Sequence, residues 1–218
     1  MKTIRARLVL TFSIIILVVT LSLGSIAVNM ISSRLMQAGF SDLLELAKAE
    51  AKHVQSIRNA EIHYLEGLAN SPFLKASDIT QAQKAAYLED EAKRAGYIGF
   101  ALVDRFGGVQ ASHGANTIGD ITRQSFFKDA LAGKPAVSDV LVEKGAGRAE
   151  LVFAVPFKVN GGIEIEGVFF GVRNAAMISD IVNQTNYRQT GYAYILNKEG
   201  TTVAHDDYAR VLTQDNVI

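Results

Sequence analysis

The sequence contains no cysteine in its 218 residues. A disulfide framework, a cysteine-based metal site and a cysteine nucleophile are therefore all excluded. The absence fits an oxidising bacterial exterior, although many cytosolic proteins lack cysteine too.

Net charge is absent as well, because 22 Lys and Arg balance 22 Asp and Glu. Lys2, Arg5 and Arg7 all precede residue 8, so the rest of the chain keeps 19 cations against 22 anions, a net charge of −3. A nucleic-acid surface requires cations clustered on one face. We therefore expect no nucleic-acid partner.

The motifs of common enzyme classes are also missing. The four histidines form no HExxH-like pair, and there is no G-x-x-x-x-G-K-[ST] phosphate loop. No G-x-S-x-G nucleophile elbow occurs either. We expect a protein that is not an enzyme, with no catalytic residues, no metal and no cofactor.

A long uncharged run is the strongest feature that is present. It covers 26 residues, from Leu8 to Ser33, and about 20 suffice to cross a bilayer as a helix. A cleaved signal peptide would have a shorter apolar region, of about 7–15 residues, and a clear cleavage site. The weak exit site "GSIAV" leaves that alternative open, but the run favours an uncleaved transmembrane helix at 8–31.

The charges before this run predict its orientation. Arg5 and Arg7 indicate a cytoplasmic N-terminus, residues 1–7, by the positive-inside rule. The bulk of the chain is then outside the cytoplasm, attached to a bacterial inner membrane by a single span.

Residues 32–96 are predicted to be helical. Helix over 34–68 carries an apolar stripe at Leu43, Leu46, Val54, Ile57, Leu65 and Leu68, while Glu45, Lys48, Glu50, Lys52, Arg58 and Glu61 fill other positions. Pro72 breaks this helix, and a second one is expected at about 80–94. The stripe must be buried against the same chain, a second copy or both, which suggests a homodimer.

From residue 97 the pattern changes to short alternating strands. We expect strands at 97–104, 109–112, 137–142, 149–159 and 163–172, with a helix at about 125–131 and a closing helix at about 175–186. Asn160-Gly161 between two alternating runs is a hairpin signal. Residues 97–186 thus predict an antiparallel sheet module, and the chain belongs to the α+β class.

The pattern then restarts. "ALVDRFGGVQAS" (101–112) and "YILNKEGTTVAH" (194–205) align at a constant offset of 93 residues. Residues 187–218 therefore predict the start of a second module. One hairpin is not stable alone, so the chain is interpreted as an N-terminal fragment of a longer protein.

Taken together, these features resemble the double Cache (tandem PAS-like) sensory region of bacterial transmembrane receptors, most often methyl-accepting chemotaxis proteins. The motifs that carry the resemblance are "LANSPFL", "ALVDRFGGV", "FFKDALAGKPAVSDV", "AVPF", "EGVFFGV" and "TGYAYILNKEGTTVAH", spread over about residues 32–218. The resemblance implies that a small molecule binds the membrane-distal module, 97–186. It also implies that cytoplasmic signalling proteins are partners through the missing C-terminal part.

The amino-acid-binding branch of that family has an Arg-x-Trp-Tyr segment, a Tyr-x-Asp on the next strand and a final Asp. At these positions the present sequence has Gln124 with Arg123 beside it, Phe126 and Phe127, Leu141 and Glu143, and Val172 or Arg173. The carboxylate for an ammonium group is missing, so an anionic ligand is predicted.

Each of these site residues also has a purely structural interpretation. Phe126 and Phe127 either line a pocket or fill the core, and Asp139 either accepts hydrogen bonds in the pocket or faces water. Arg123 either clamps a carboxylate, with Arg173 as a second cation, or is a solvated surface residue.

The function predicted from the sequence is small-molecule sensing by a chemotaxis receptor. A histidine kinase or a diguanylate cyclase carrying the same sensor is the alternative output. From another class, a membrane-tethered adhesion or assembly module without a ligand remains open.

Overall fold

The structure, a computed structural model, describes residues 4–115, 120–143, 147–159, 164–184 and 191–218. Its helices are α1 (Ile4–Ala69), α2 (Pro72–Lys75), α3 (Gln81–Ala95), α4 (Ser125–Leu131), α5 (Ala176–Asn183) and α6 (Ala209–Leu212), with a 3-10 helix at Ile121–Arg123. Its strands are β1 (Gly99–Asp104), β2 (Val109–His113), β3 (Ala136–Val137), β4 (Leu141–Glu143), β5 (Arg148–Phe157), β6 (Gly167–Asn174), β7 (Ile195–Leu196) and β8 (Thr202–Ala204). The predicted α+β class is confirmed.

Two compact units divide the chain, Met1–Ala49 and Glu50–Ile218. The described part of the first unit is helical, and most of its described apolar side chains are exposed. Among the described residues, one helix is long and apolar enough to cross a membrane, Leu10–Ala69, and its apolar window is not buried in protein. The predicted transmembrane helix, 8–31, falls within α1. Its boundaries remain a prediction.

Side-chain caps set the helix boundaries in the second unit. Pro72 opens α2 after Ser71, whose Oγ accepts a hydrogen bond from Phe73 N at 3.2 Å. Thr80 and Gln83 form a reciprocal capping box that begins α3. Gly96 ends α3 in the left-handed conformation, with φ 73°.

One antiparallel sheet forms the centre of the second unit. Its strand order is β2-β1-β6-β5-β3, and β4 also pairs with β5. Side chains alternate across such a sheet, and directly paired residues share a face. The registers Gly99↔Val172 and Val152↔Val172 therefore put Val152 and Val172 on one face, while Leu151 and Arg173 share the other.

The first face is covered by α4, and we call it the α4 face. Phe126, Phe127 and Ala130 of α4 are buried against strand residues, namely Ala101, Val103, Val152, Ala154, Val168, Phe170 and Val172. The second face, called the α1 face, is covered by residues of α1, α3 and α5. Its buried side chains include Ile62, Leu65, Leu68, Leu88, Phe100, Leu102, Phe153, Phe169 and Ile178.

The two segments that align in the sequence form matching turns. Asp104 Oδ1 accepts hydrogen bonds from Phe106 N and Gly108 N, both at 2.8 Å. Asn197 Oδ1 does the same with Glu199 N at 3.1 Å and Thr201 N at 2.8 Å. In both turns a glycine at the matching position, Gly107 or Gly200, has positive φ.

The β7–β8 hairpin packs on the first sheet module. Ala204 and Val211 are buried in the same core cluster as Ile178 and Val182 of α5. His205 N donates to Ser179 Oγ at 3.4 Å, and Gln214 Nε2 donates to Val140 O at 3.1 Å. This packing explains how a single hairpin is stabilised.

The prediction of one continuous strand at 137–142 was wrong, because two short strands, β3 and β4, lie there. Ser138 causes the division, because its Oγ accepts a hydrogen bond from Val152 N at 3.0 Å and donates to Asp139 O at 2.6 Å. A side chain thus takes a position in the ladder that backbone would occupy. The predicted turn at 160–162 and the end of the helix at 186 lie outside the described residues.

Gly171 tests the packing of the α1 face. A Cβ at this position would lie 2.5 Å from Tyr97 Cε1 and 2.8 Å from Phe100 Cε1. We expect Gly171→Ala to lower the free energy of unfolding by about 1–3 kcal/mol, because the ring of Tyr97 must move.

Gly67→Ala is the matched control, because nothing lies within 4 Å of its Cβ position in α1. It should raise stability by up to about 1 kcal/mol through helix propensity. Denaturant unfolding of the chain in detergent, followed by tyrosine fluorescence, measures both. Equal effects at the two glycines would contradict the packing described.

Candidate functional site

The α4 face brings together most of the predicted apolar site residues. Phe126 and Phe127 are each 1% exposed, and the ring of Phe126 lies 6.1 Å from that of Phe170 in an edge-on arrangement. Val172 is buried in the same cluster, and Leu141 packs half-buried against it. Phe126 and Phe127 thus join α4 to the strands on which the other predicted wall residues lie.

Arg123 lies at the edge of this cluster, in the 3-10 helix before α4. Its side chain is 86% exposed, and its Nε lies 3.0 Å from Asp120 Oδ2. Hydrogen bonds from Thr122, helped by Arg123, hold the pKa of Asp120 below its ordinary value. An ion pair this exposed contributes little to stability, because solvent screens it.

The remaining polar site predictions differ in outcome. Asp139 is exposed, as the alternative of a residue facing water expected. The backbone of Glu143 lies in β4, but its side chain is outside the described residues. A carboxylate that sequence reasoning missed, Glu150, is buried on the α4 face through its pairing with Leu141, and Arg148 Nε lies 3.8 Å from its Oε1.

Arg173 does not reach the α4 face. It follows Val172 in β6, so alternation directs it to the α1 face. There its Nη2 lies 2.6 Å from Glu61 Oε1 and its Nε 3.2 Å from Glu61 Oε2. The structure therefore does not bring Arg173 together with Arg123, and the prediction of two convergent cations is not supported.

Glu61, Tyr97 and Arg173 form a polar cluster inside the α1 face, which we call the Glu61 cluster. The hydroxyl of Tyr97 donates to Glu61 Oε2, and the guanidinium of Arg173 lies 4.3 Å from the centre of the Tyr97 ring. Arg173 Nη1 also donates to Gly96 O at 3.4 Å. A buried charge needs such multiple partners to offset its desolvation.

A second ring extends the cluster toward α3. Tyr64 stacks on Tyr97 with ring centres 5.7 Å apart, and its hydroxyl donates to Glu91 Oε2 at 2.8 Å. Burial, followed by the hydrogen bond to Glu61, raises the pKa of Tyr97 well above its ordinary value. Burial and Glu91 raise the pKa of Tyr64 in the same direction.

Sequence reasoning assigned Glu61 to the polar side of the long helix, and this was wrong. Glu61 is 9% exposed. The helical spacing already indicated burial, since Glu61 comes four residues after Ile57 and four before Leu65 and so lies on the apolar stripe itself.

No metal site is found where the structure describes the chain: no three His, Asp or Glu residues there are grouped to hold an ion.

Comparison with solved structures finds chemoreceptor sensors. The ligand-binding domain of the Pseudomonas aeruginosa PAO1 amino acid chemoreceptor PctC, in complex with GABA, is 24% identical, with a TM-score of 0.63. The match covers 81% of this chain and 83% of that one. This chain has the fold of a chemoreceptor ligand-binding domain. The predicted resemblance to double Cache receptors is thereby confirmed.

Two further chemoreceptor structures have a similar fold. The ligand-binding domain of the P. aeruginosa chemoreceptor PctB with L-Arg is 20% identical, with a TM-score of 0.61, and covers 79% of this chain and 73% of its own. The ligand-binding domain of the Pseudomonas fluorescens chemoreceptor CtaA with L-serine is 18% identical, with a TM-score of 0.59. The match covers 77% of this chain and 72% of that one.

Among curated proteins, the methyl-accepting chemotaxis protein PscA of Pseudomonas syringae pv. tomato is 22% identical over 179 residues. The match covers 81% of this chain but 28% of PscA. The chain thus spans little more than a quarter of that relative's length. No family model matches the sequence.

The Glu61 cluster predicts a pH dependence of stability. The pKa of Tyr97 is raised above its ordinary value of 10.0 on folding, so the unfolded chain loses this proton first as pH rises. Stability from this group is complete below pH 10 and falls above it. Tyr97→Phe should therefore flatten the decline in the free energy of unfolding between pH 9 and 11, as measured by denaturant titration.

Tyr192→Phe serves as the control, because Tyr192 is 59% exposed. It should leave the slope unchanged. A Tyr97→Phe slope equal to that of the wild type would show that Tyr97 is not held protonated by the fold.

Proposed function

We propose that the chain is the N-terminal sensory part of a methyl-accepting chemotaxis receptor. In this proposal residues 1–7 are cytoplasmic, 8–31 span the inner membrane, 32–96 form the long and second helices, 97–186 the ligand-binding distal module, and 187–218 the start of the proximal module. The observation that carries the proposal is the α4 face, where a short aromatic helix covers the central strands in a fold shared with ligand-bound chemoreceptor sensors.

The proposed ligand is a small, anionic metabolite bound between α4 and the sheet. Phe126, Phe127, Leu141 and Val172 supply an apolar wall, as small-molecule sites require. Arg123 comes three residues before Phe126 and can exchange Asp120 for a ligand carboxylate at little cost. Asp139 and Glu143 are proposed as polar groups at the rim.

A second ligand class, an amino acid, is favoured by one specific observation. The compared sensors are in complex with GABA, L-Arg and L-serine. Glu150 places a buried carboxylate on the α4 face, where an ammonium group would be attracted.

Ligand binding would signal by shifting a two-state equilibrium that extends through α1 to the membrane. The apolar stripe of α1 also favours a homodimer. Cytoplasmic signalling proteins would then read the state through the remainder of the receptor.

Thermal-shift screening tests the ligand class on the complete outer region. Two probe sets are used, short dicarboxylic and hydroxy acids, and the common L-amino acids with GABA. We expect a shift with members of one set, and Arg123→Ala should weaken the affinity about tenfold or more, as loss of a charge-assisted contact does.

Arg210→Ala is the matched control, since Arg210 is also exposed and faces an aspartate three residues earlier. It should leave affinity unchanged. Glu150→Gln separates the classes, because it should weaken amino-acid binding and leave organic-acid binding intact. No shift with either set would favour a ligand-free adhesion or assembly module, and an unchanged affinity in Arg123→Ala would remove the anionic class.

A further inference from the structure

The two faces of the sheet meet at two consecutive residues of β6. Val172 is fully buried on the α4 face, among the proposed ligand-wall residues. Arg173 is bound on the α1 face to Glu61, a residue of α1 that is 112 positions away in the sequence. The peptide unit between them is rigid, so a displacement of one residue moves the other.

Arg173 is held from three directions. Two of its nitrogens contact the two oxygens of Glu61, a third donates to Gly96 O, and its guanidinium lies over the ring of Tyr97. Tyr97 in turn donates to Glu61, so both ends of the ion pair are fixed. Hydrogen bonds of this kind weaken steeply with misalignment.

The surroundings also keep the cluster closely packed. Gly171 leaves room for the Tyr97 ring, since any side chain there would overlap it. Leu65, the next stripe residue after Glu61, is completely buried. Most of the other buried residues on the α1 face make apolar contacts, which are non-directional, whereas the ion pair has one favourable geometry.

From this geometry we propose that the Glu61–Arg173 pair is the coupling element of the sensor. A displacement of β6 on the α4 face passes through Arg173 to Glu61 and so to α1. The assignment rests on the proposed sensory function, in which β6 borders the ligand, but the coupling itself is a property of the fold. It names Glu61, Tyr97 and Arg173 as positioning residues that touch no ligand.

A ligand-free perturbation tests the coupling. Val172→Ala removes two methyl groups from the α4 face alone. Hydrogen exchange by mass spectrometry, on the 218-residue chain in detergent micelles, then reports on α1 peptides covering residues 57–69. We expect Val172→Ala to speed their exchange by about twofold or more. A twofold change corresponds to the lower end of the interaction energies measured between residues in one network.

The same change is then made in the Glu61→Gln background, which removes the charge and keeps the shape. There Val172→Ala should still speed exchange in β5 and β6 but add nothing in residues 57–69. If Glu61→Gln loses its native circular dichroism, Arg173→Lys replaces it, because lysine keeps the charge and loses the two-pronged contact.

Val152→Ala is the matched control. Val152 is equally buried and pairs with Val172 on the same face, but Tyr97 and Arg173, the hydrogen-bond partners described for Glu61, lie outside its strand. Its effect on residues 57–69 should be the same with and without Glu61.

Two results would overturn the proposal: no response of α1 to Val172→Ala, or a response that persists unchanged when the pair is removed. Neither depends on a ligand. Failure here is therefore distinct from an absence of thermal shift in the ligand screen, which would count against the sensory function.

Discussion

The strict alternation of side chains in one antiparallel sheet is the constraint on which this structure depends. The strands contribute side chains to two separate hydrophobic cores, one under α4 and one under α1. Val172 and Arg173 show the consequence most clearly, because neighbours in sequence belong to different chemical environments. A proposed ligand wall and a polar contact to the long helix are thus separated by the thickness of a single strand.

The partly buried Glu61–Arg173 ion pair lies in a largely apolar α1 face. The side chains of Arg173 and Glu61 keep 22% and 11% of their surface exposed. The pair therefore adds little net stability, because partial desolvation of both charges offsets their attraction. Its value lies in fixing one geometry among several that apolar contacts would tolerate. Glu61 joins its part of α1 to β6 through Arg173, and Tyr97, for which Gly171 leaves room, donates to the same carboxylate.

Periodicity and turn chemistry were sufficient to predict much of the fold. The Pro72 break, the Thr80 helix start and the repeated Asp104 and Asn197 turns follow from local backbone preferences, so they are readable in sequence. Contacts between residues distant in sequence could not be predicted in this way. Arg173 was assigned to the ligand because no local signal distinguishes a pocket cation from one bound to Glu61, and the Ser138 division of a strand depends on its partner Val152.

The central claim is that small molecules bind on the α4 face and not elsewhere on the sheet. Fluorine NMR of the outer region with fluorinated phenylalanine tests it directly, using the probe that gives the largest thermal shift. The account predicts that the first and largest changes occur at Phe126, Phe127 and Phe170, with smaller changes at Phe100, Phe153 and Phe169 across the sheet. Saturating changes confined to the second group, or to Phe106 at the exposed turn, would contradict it.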